Sequence, residues 1–343
     1  MADEDATLDE RGATPLRIQW SSDRAEDWAT SIQGGDRSTA RALYEEFGRV
    51  LEEEVALQGG NPVLSHPEVN ELIRAHLRDL PGRRALDAGC GPTPVAAIAL
   101  ADAGFAAIGV DIAHSIVRLA KRTTEAPVAF AVTDGEALPF PEGSFDVVTC
   151  DDVIEHVFDQ PKLVEELARV TRPGGRLLLV TPNASGFHVL LARARHLARG
   201  RRLPREAYHI TQSHVRELRW HELHDLVRPW FRVVQALPMT FPDRGRWRRL
   251  NTVIRKVPTG ARLGPIHFFV LERSATRTAA GTTGNAGHYA ARTDSESQTS
   301  PSVVRAAFDA ARSELPLTGL VLDLGCGGGA NLQALERDGI PAV

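Results

Sequence analysis

The stretch Ala85–Pro94 reads Ala-Leu-Asp-Ala-Gly-Cys-Gly-Pro-Thr-Pro, and the interpretation of the whole chain starts from it. The apolar residues before Gly89 predict a short buried strand, and the alanine-rich run Val95–Ala103 predicts a helix. Between them, Gly89 and Gly91 allow left-handed backbone angles and a close approach of the main chain to a ligand. Strand, glycine turn and helix in this order are the nucleotide-binding opening of a doubly wound sheet.

The glycine turn is not of the dinucleotide-binding type. That type needs a third small residue, in the pattern G-x-G-x-x-G/A, and counting from Gly89 this position is Pro94. The remaining pattern D-x-G-C-G, which begins at Asp87, resembles motif I of the class I S-adenosylmethionine (SAM) methyltransferases. The resemblance implies an α/β fold, a Rossmann-like seven-stranded doubly wound sheet. It would be mostly parallel, with an antiparallel seventh strand and helices on both faces.

Further motifs follow in the order that this family shows, from about Arg84 to Arg273. Asp111 stands 20 residues after Gly91, where a carboxylate can accept hydrogen bonds from ribose hydroxyls or cap a helix. The segment D-x-x-x-L-P-F at 134–140, F-D-V-V at 145–148 and R-P-G-G at 172–175 also resemble the family. The last of these predicts a turn at 171–175 before a strand at 176–181. The cofactor-binding residues implied are Asp87, Gly89, Cys90, Gly91, Asp111, Ile112, Asp134, Gly135, Glu136 and Asp151.

The most reactive side chains follow the fourth predicted strand. Asp152, Glu155 and His156 have i, i+3, i+4 spacing, so a helical turn would place all three on one face. Oxygen and imidazole ligands suit Mg²⁺, Mn²⁺, Fe²⁺ or Zn²⁺. The pattern resembles ubiquinone-biosynthesis O-methyltransferases and the metal-dependent small-RNA 2′-O-methyltransferases. The second group implies His214 as a fourth ligand.

Three alternatives stay open for this group. A divalent cation bound by Asp152, Glu155, His156 and His214 would lower the pKa of an acceptor hydroxyl. Without metal, His156 or His214 would be the general base, so the candidate catalytic residues are His156, Glu155 and His214. In the third alternative the Glu-His pair only shapes the cofactor pocket.

Composition limits the class of protein. The chain has 343 residues, with 43% hydrophobic and 24% charged, which is typical of globular proteins. The acidic N-terminus MADEDATLDE does not resemble a secretory signal, and the three cysteines lack C-x-x-C spacing. These features predict a cytoplasmic protein.

The net charge of −4 hides a basic block. Residues 186–262 contain 17 Lys/Arg against five Asp/Glu. Within it, 186–205 has the pattern of a basic amphipathic helix, which predicts peripheral contact with an anionic membrane surface. An anionic substrate, RNA or a merely solvated face are the alternatives. Interleaved aromatic residues are few, so nucleic acid is not favoured.

The chain divides into five predicted segments. The motif Leu-Asp-Ala-Gly-Cys-Gly at 86–91 returns as Leu-Asp-Leu-Gly-Cys-Gly at 322–327, which predicts the start of a second, truncated methyltransferase copy in a tandem protein. The segments are a disordered acidic N-terminus (1–35), a helical cap or lid (36–82), a methyltransferase domain (83–273), a flexible linker (274–300) and the truncated copy (301–343).

The combined hypothesis is a SAM-dependent methyltransferase that methylates a hydroxyl of a small or lipid-linked acceptor. An RNA 2′-O-methyltransferase and a catalytically silent SAM-binding domain of a tandem protein are the alternatives. The oligomeric state and the acceptor atom do not follow from the sequence.

Overall fold

In the computed structural model of the protein, the described residues are 37–58, 67–77, 80, 82–198, 214–239, 260–275 and 321–323. The predictions for the N-terminus 1–35, for most of the linker and second copy, and for the basic residues 199–213 and 240–259 lie outside them. The chain forms two compact units. The first unit is Met1–Asp79, Ala85–Asp134 and Thr299–Val343; the second unit is Leu80–Arg84 and Gly135–Gln298.

The predicted fold class is confirmed: strands β1–β7 belong to a mainly parallel mixed sheet with an antiparallel seventh strand and accompanying helices. The first-unit strands are β1 (Arg84–Ala88, with Arg84 counted in the second unit), β2 (Ala106–Asp111), β3 (Val128–Val132) and β8 (Val321–Asp323). The second-unit strands are β4 (Phe145–Asp151), β5 (Thr171–Pro182), β6 (Phe231–Met239) and β7 (Ile266–Arg273).

The parallel strands of the first unit are continuous apolar runs, as expected for strands covered on both faces. In β2 and β3, Ala107 pairs with Val128 and Asp111 with Val132. An eighth strand joins them, since β8 lies parallel to β3 with Val321 opposite Phe130. The sequence places these three residues at the start of a second copy; the rest of that copy lies outside the described residues, and the copy stays a prediction.

Four helices accompany the first-unit strands, namely α1 (Arg37–Gln58), α2 (Pro67–Leu77), α3 (Val95–Asp102) and α4 (His114–Thr123). Helix α1 packs on α4, where Leu51 joins a buried cluster with Ile116 and Leu119. A Cβ at Gly48 would lie 2.2 Å from Ser115 Oγ, so only glycine permits this approach. Helix α1 is thus packed on α4, and the cap and the lid both stay predictions.

The second-unit helices are α5 (Gln160–Val170), α6 (Phe187–Ala198), α7 (Trp220–Val227) and α8 (Gly260–Leu263). Helix α5 begins where Asp159 Oδ1 accepts a hydrogen bond from Lys162 N (2.9 Å), the usual role of an N-cap aspartate. Strand β7 pairs antiparallel with both β5 and β6, as predicted. Among the described helices, none combines the length and apolar character needed to cross a bilayer.

One prediction about β5 is wrong. The sequence predicts a turn at Thr171–Gly175 before a strand at Arg176–Thr181, but β5 already begins at Thr171. Thr171 pairs with Phe145 and Arg176 with Val147, so the residues between them form a bulge. A Cβ at Gly175 would lie 2.8 Å from the carbonyl oxygen of Arg172, so the glycine that signals a turn here permits a bulge.

Asp146, opposite this bulge, ties three segments of the second unit together. Its Oδ2 accepts hydrogen bonds from the backbone N–H groups of Arg83 and Arg84 (both 2.9 Å), and its Oδ1 accepts one from Arg172 Nε (2.6 Å). Burial alone would raise the pKa of this carboxyl. The hydrogen bonds from Arg84, Arg172 and Arg83 outweigh burial and hold the pKa below its usual value.

We expect Asp146→Ala to lower the free energy of unfolding by about 3 kcal/mol at neutral pH, because hydrogen bonds to charged groups contribute about 1.5–3 kcal/mol each and do not add fully. The folded-state pKa is depressed, so this contribution is present above the unfolded pKa of about 3.9 and is lost as the pH falls through the folded pKa. Urea unfolding of both proteins at neutral and acid pH measures the difference.

Asp102→Ala is the matched control. Asp102 Oδ2 pairs with Arg74 Nη2 at 2.8 Å on an exposed surface, where ion pairs contribute less than about 1 kcal/mol. Equal losses in the two variants would contradict the role given to Asp146.

Candidate functional site

The glycine turn has the predicted backbone geometry. Gly89 and Gly91 have φ of 83° and 62°, angles that side chains with a Cβ rarely adopt. The N–H groups of Gly89 and Cys90 both donate to the carbonyl of Val110 (2.8 Å each), which fixes the turn against the end of β2. A Cβ at Gly91 would meet no atom within 4 Å, so the demand for glycine there is conformational.

Asp87 has a structural task that the sequence analysis did not assign. Its side chain is buried, and Oδ2 accepts a hydrogen bond from Ala97 N (3.0 Å) in the first turn of α3. The N-cap residue of α3 is Pro94, which makes no side-chain cap. Asp87 therefore supplies an acceptor and a negative charge to the helix start. Its predicted contact with a bound cation or amine stays a prediction.

Asp111 has the capping role that its position suggested, and its contact with a ribose stays a prediction. Its Oδ2 accepts a hydrogen bond from Gly91 N (3.1 Å), and its Oδ1 accepts one from Ala113 N (3.3 Å), at the start of α4. Burial raises the pKa of this carboxyl to about 6, against the effect of the backbone hydrogen bonds. A carboxylate held in this way at the end of β2 is suited to accept further hydrogen bonds from a ligand hydroxyl.

The neighbouring residues of the first unit that are predicted to bind the cofactor differ in burial. Cys90 is buried, and burial together with the charges of Asp111 and Asp87 raises the pKa of its thiol, so it is a packing residue and not a nucleophile. Ile112 is half-buried and packs on the cluster between α1 and α4. Asp134 is half-buried and follows β3 directly.

In the second unit, the predicted adenine-binding loop is fastened to α5. Gly135 is so close to Leu163 that a Cβ would lie 3.1 Å from its Cδ1. Glu136 is buried, and its Oε1 accepts a hydrogen bond from Asp159 N (3.2 Å) at the start of α5. Glu166 Oε2 accepts a hydrogen bond from Leu138 N (2.9 Å).

Arg169 completes the attachment of this loop. Its Nη2 donates to the carbonyl of Leu138 at 2.6 Å and pairs with Glu166 at 2.8 Å. The sequence analysis missed both Glu166 and Arg169. Their i, i+3 spacing on α5 was the available signal.

The predicted helical face after β4 is wrong in its geometry. Asp151 ends the strand, and Asp152 has a φ of 52°, which breaks any helical continuation. Ile154–His156 then forms a single 3₁₀ turn. The spacing of Asp152, Glu155 and His156 therefore does not act through one helix face.

Glu155 is the centre of the group that forms instead. It is fully buried, and its Oε2 accepts a hydrogen bond from Thr181 Oγ1 (3.0 Å). Burial, and next the charge of Asp152, raise the pKa of Glu155 well above its usual value; Asp151 adds to the effect. Its other oxygen, Oε1, is buried without a hydrogen-bond partner among the described residues.

Two histidines face that oxygen. The Nε2 atoms of His156 and His214 each lie 4.0 Å from Glu155 Oε1, and the two rings meet edge to face at 4.8 Å. The backbone N–H groups of Val215 and Arg216 donate to the carbonyl of Glu155 (2.8 and 3.1 Å), so His214 arrives beside Glu155 through main-chain contacts. We call Glu155, His156 and His214 the histidine–glutamate cluster.

The cluster fits a divalent cation. One ligand atom from each of its three residues lies within 4.8 Å of the others, and Asp152 is not part of this set. Metal–nitrogen and metal–oxygen bonds measure about 2.0–2.2 Å, so atoms 4.0 Å apart are within reach of one ion. The orphaned buried oxygen of Glu155 is the atom that such an ion would satisfy. Three of the four predicted ligands are brought together, and metal binding itself stays a prediction.

Comparison with known proteins agrees with the motifs. Residues 86–179 match the methyltransferase domain family. The ubiquinone biosynthesis O-methyltransferase of Methylococcus capsulatus is 38% identical over 126 residues, which cover 36% of this chain and 52% of that protein. The 2-methyl-6-phytyl-1,4-hydroquinone methyltransferase of a Synechocystis species is 40% identical over 105 residues, which cover 30% and 33%.

A solved structure is also similar to part of this chain. The S-adenosylmethionine-dependent methyltransferase from Mesorhizobium loti has a TM-score of 0.43 and 19% identity, and the match covers 59% of this chain and 96% of that one. The chain spans about half the length of the first curated relative and a third of the second. Residues 86–179, which carry the glycine turn and the aspartate after β2, are therefore similar to a methyltransferase domain.

Proposed function

We propose that the protein transfers the methyl group of SAM to a hydroxyl oxygen of a small or lipid-linked acceptor. The observation that carries the choice of a hydroxyl is the histidine–glutamate cluster, which offers proton acceptors and cation ligands directly after β4. The names of the two curated relatives, one an O-methyltransferase of ubiquinone biosynthesis and one a hydroquinone methyltransferase, support a phenolic ring as the acceptor.

The cofactor half of the proposal is based on the first unit. Asp111 would accept hydrogen bonds from the ribose hydroxyls, and the turn Gly89–Gly91 would leave room for the backbone to meet the cofactor. Asp134 would contact the adenine amino group, as the resemblance implies. In the second unit, the backbone at Gly135 and the residues Glu136 and Asp151 belong to the same prediction.

The chemistry of the proposed step is an in-line displacement. The acceptor oxygen forms a bond to the methyl carbon while the bond from carbon to sulfur breaks, and the sulfonium becomes the neutral thioether of S-adenosylhomocysteine. The hydroxyl proton must move to a base. His156 is the favoured base, because 21% of its side chain is exposed against 6% for His214, so it is the more accessible imidazole.

A divalent cation fits the same cluster, with Glu155, His156 and His214 as its ligands. When bound, such an ion supplies a lowered pKa to a coordinated hydroxyl. In that case the two imidazoles act as ligands, and the buried carboxyl of Glu155 is held in place by Thr181. A metal-dependent RNA 2′-O-methyltransferase is the second candidate, favoured by the position of His214 beside Glu155.

Contact with an anionic membrane is part of the proposal for lipid-linked acceptors. In α6, Leu190 and Leu197 are 49% and 73% exposed, and their spacing of seven residues places them on one side of the helix. Exposed leucines next to a sequence rich in arginine are typical of helices that lie on a lipid surface.

Transfer of radiolabelled methyl groups tests the function. Purified full-length protein with labelled SAM is expected to label prenylated phenols and short-chain hydroquinones. Labelling of RNA alone would favour the second candidate. Cofactor binding without labelling of phenols, sugars or RNA would favour the silent SAM-binding domain and contradict the proposal.

We expect Asp111→Asn to weaken SAM binding at least tenfold at neutral pH, because the amide offers one acceptor where the carboxylate offers two. Isothermal titration calorimetry measures the affinity, with the exposed Asp102→Asn on α3 as control. In the wild-type protein the affinity should also fall as the pH drops below about 6, since protonation of Asp111 removes the charged acceptor. An unchanged affinity in Asp111→Asn would contradict the ribose contact.

We expect His156→Ala to lower the rate of methyl transfer at least a hundredfold with little change in SAM affinity, because general bases contribute about 10²–10⁴-fold. Glu155→Gln should also lower the rate, and chelation should do so if the cation is required. Single-turnover kinetics with and without chelator separate the cases. A rate that resists both chelation and Glu155→Gln would remove the cation from the proposal.

A further inference from the structure

Glu217 is a buried carboxylate for which the proposed reaction has no role so far. Only 1% of its side chain is exposed, and its Oε1 lies 2.7 Å from Nδ1 of His214. This is the shortest side-chain contact of His214, and it lies on the side of the ring opposite to the cluster nitrogen. A buried charged group in this position is costly unless it has a specific partner.

The contact decides which nitrogen of His214 carries the proton. A carboxylate oxygen 2.7 Å from Nδ1 accepts a hydrogen bond when Nδ1 carries the proton, so this contact favours the Nδ1-protonated tautomer of His214. In the neutral imidazole the other nitrogen, Nε2, then has a free lone pair. Nε2 is the atom that lies 4.0 Å from Glu155 Oε1, so the lone pair belongs to the nitrogen of the cluster.

Main-chain contacts hold the position of the segment independently of Glu217. Gln160 Nε2 donates to the carbonyls of Ile154 and Arg216 (2.9 and 2.8 Å), and the N–H of Val215 donates to Glu155 O. On the other side, Ala184 N donates to Leu218 O (3.1 Å). The backbone of the segment is thus fixed, and what remains for Glu217 is the orientation and tautomer of one ring.

We propose that Glu217 is a positioning residue that holds His214 in its Nδ1-protonated tautomer and thereby sets the affinity of the histidine–glutamate cluster for a divalent cation. This inference deepens the proposed function and rests on its cation-binding form. The contact of 2.7 Å fixes the orientation of the imidazole, so that Nε2 stays directed towards Glu155. The cluster then offers a prepared ligand pair at His214 and Glu155.

The test uses the full-length protein, Mn²⁺ as the probe and a readout that needs no methyl transfer. Mn²⁺ affinity is measured by calorimetry at neutral pH for the wild type, Glu217→Ala and Glu217→Gln. Loss of a group that supports a metal ligand costs about 10–100-fold in affinity, which we expect for Glu217→Ala. Glu217→Gln keeps an oxygen that accepts from Nδ1 but lacks the charge, so it should lie between the other two proteins.

Nitrogen-15 NMR of the histidine side chains supplies a readout that a purely structural role would not move. The wild-type protein should show His214 with a protonated Nδ1 and an unprotonated Nε2. The signals of His214 are identified because they are missing from the spectrum of His214→Gln. In Glu217→Ala the Nε2-protonated form should gain population. Thermal unfolding of each variant reports whether the fold is kept.

Glu222→Ala is the matched control, since Glu222 is a carboxylate on the same segment whose partners are Arg219 N and Arg216 Nη2. Its Mn²⁺ affinity should equal that of the wild type. Absence of Mn²⁺ binding in the wild type would overturn the inference. Mn²⁺ affinity equal to that of the wild type in both Glu217 variants would also overturn the inference. If Glu217→Ala does not fold, wild-type Mn²⁺ affinity in Glu217→Gln is sufficient to overturn it. Absence of methyl transfer with the Glu217 dependence intact would instead overturn the proposed function and leave this inference standing.

Discussion

Burial of the Glu155 carboxyl group is the constraint on which the histidine–glutamate cluster depends. A carboxyl without water needs hydrogen bonds, and Thr181 satisfies only Oε2. The other oxygen is left to two imidazole nitrogens at 4.0 Å, too far for a hydrogen bond and within the span of one bound ion. The chain thus keeps an energetically unfavourable group at the end of β4, which is the kind of local cost that functional sites carry.

Asp111 shows the same principle with a different result. Its carboxyl is also perturbed by burial, but two backbone N–H groups partly compensate, and its pKa stays near 6 instead of rising far above the usual range. The group is therefore mostly ionised at neutral pH, which the proposed contact with ribose hydroxyls requires. Glu155 has fewer donors and two acidic neighbours, so it retains a proton more readily. Environment thus separates the two carboxyls into an acceptor and a proton-holding group.

The sequence predicted what depends on local patterns and missed what depends on contacts between distant residues. Strand β3 follows from a continuous apolar run, and the glycine turn follows from the need for positive φ. The R-P-G-G segment has the composition of a turn, and only the pairing of its flanking residues, Thr171 with Phe145 and Arg176 with Val147, shows that it is a bulge. The i, i+3, i+4 spacing after β4 suggested a helix, but Asp152 has a left-handed backbone conformation that breaks it. The residues that come together as candidate metal ligands are therefore Glu155, His156 and His214, without Asp152.

Local spacing also fails to reveal which carboxylates support the site and which support the fold. Helices α3 and α4 both begin without a side-chain cap from their own N-cap residues, Pro94 and Ala113. Asp87 supplies the acceptor for α3 from β1, and Glu45 supplies it for α4 from helix α1, where Oε2 accepts from Ser115 N (3.2 Å). The motif predicts that Asp87 contacts the cofactor, whereas its observed hydrogen bond caps the start of α3.

The capping of α4 by Glu45 also affects Asp111. Because Glu45 caps α4 from another helix, the docking of α1 brings a second negative charge towards Asp111, and that charge adds to the rise in the pKa of Asp111. Ligand hydroxyls that donate to Asp111 would offset this repulsion, since they favour the ionised form. Docking of α1 favours the protonated form of Asp111 and cofactor binding the ionised form, so the two are linked through one carboxylate and each should slightly weaken the other.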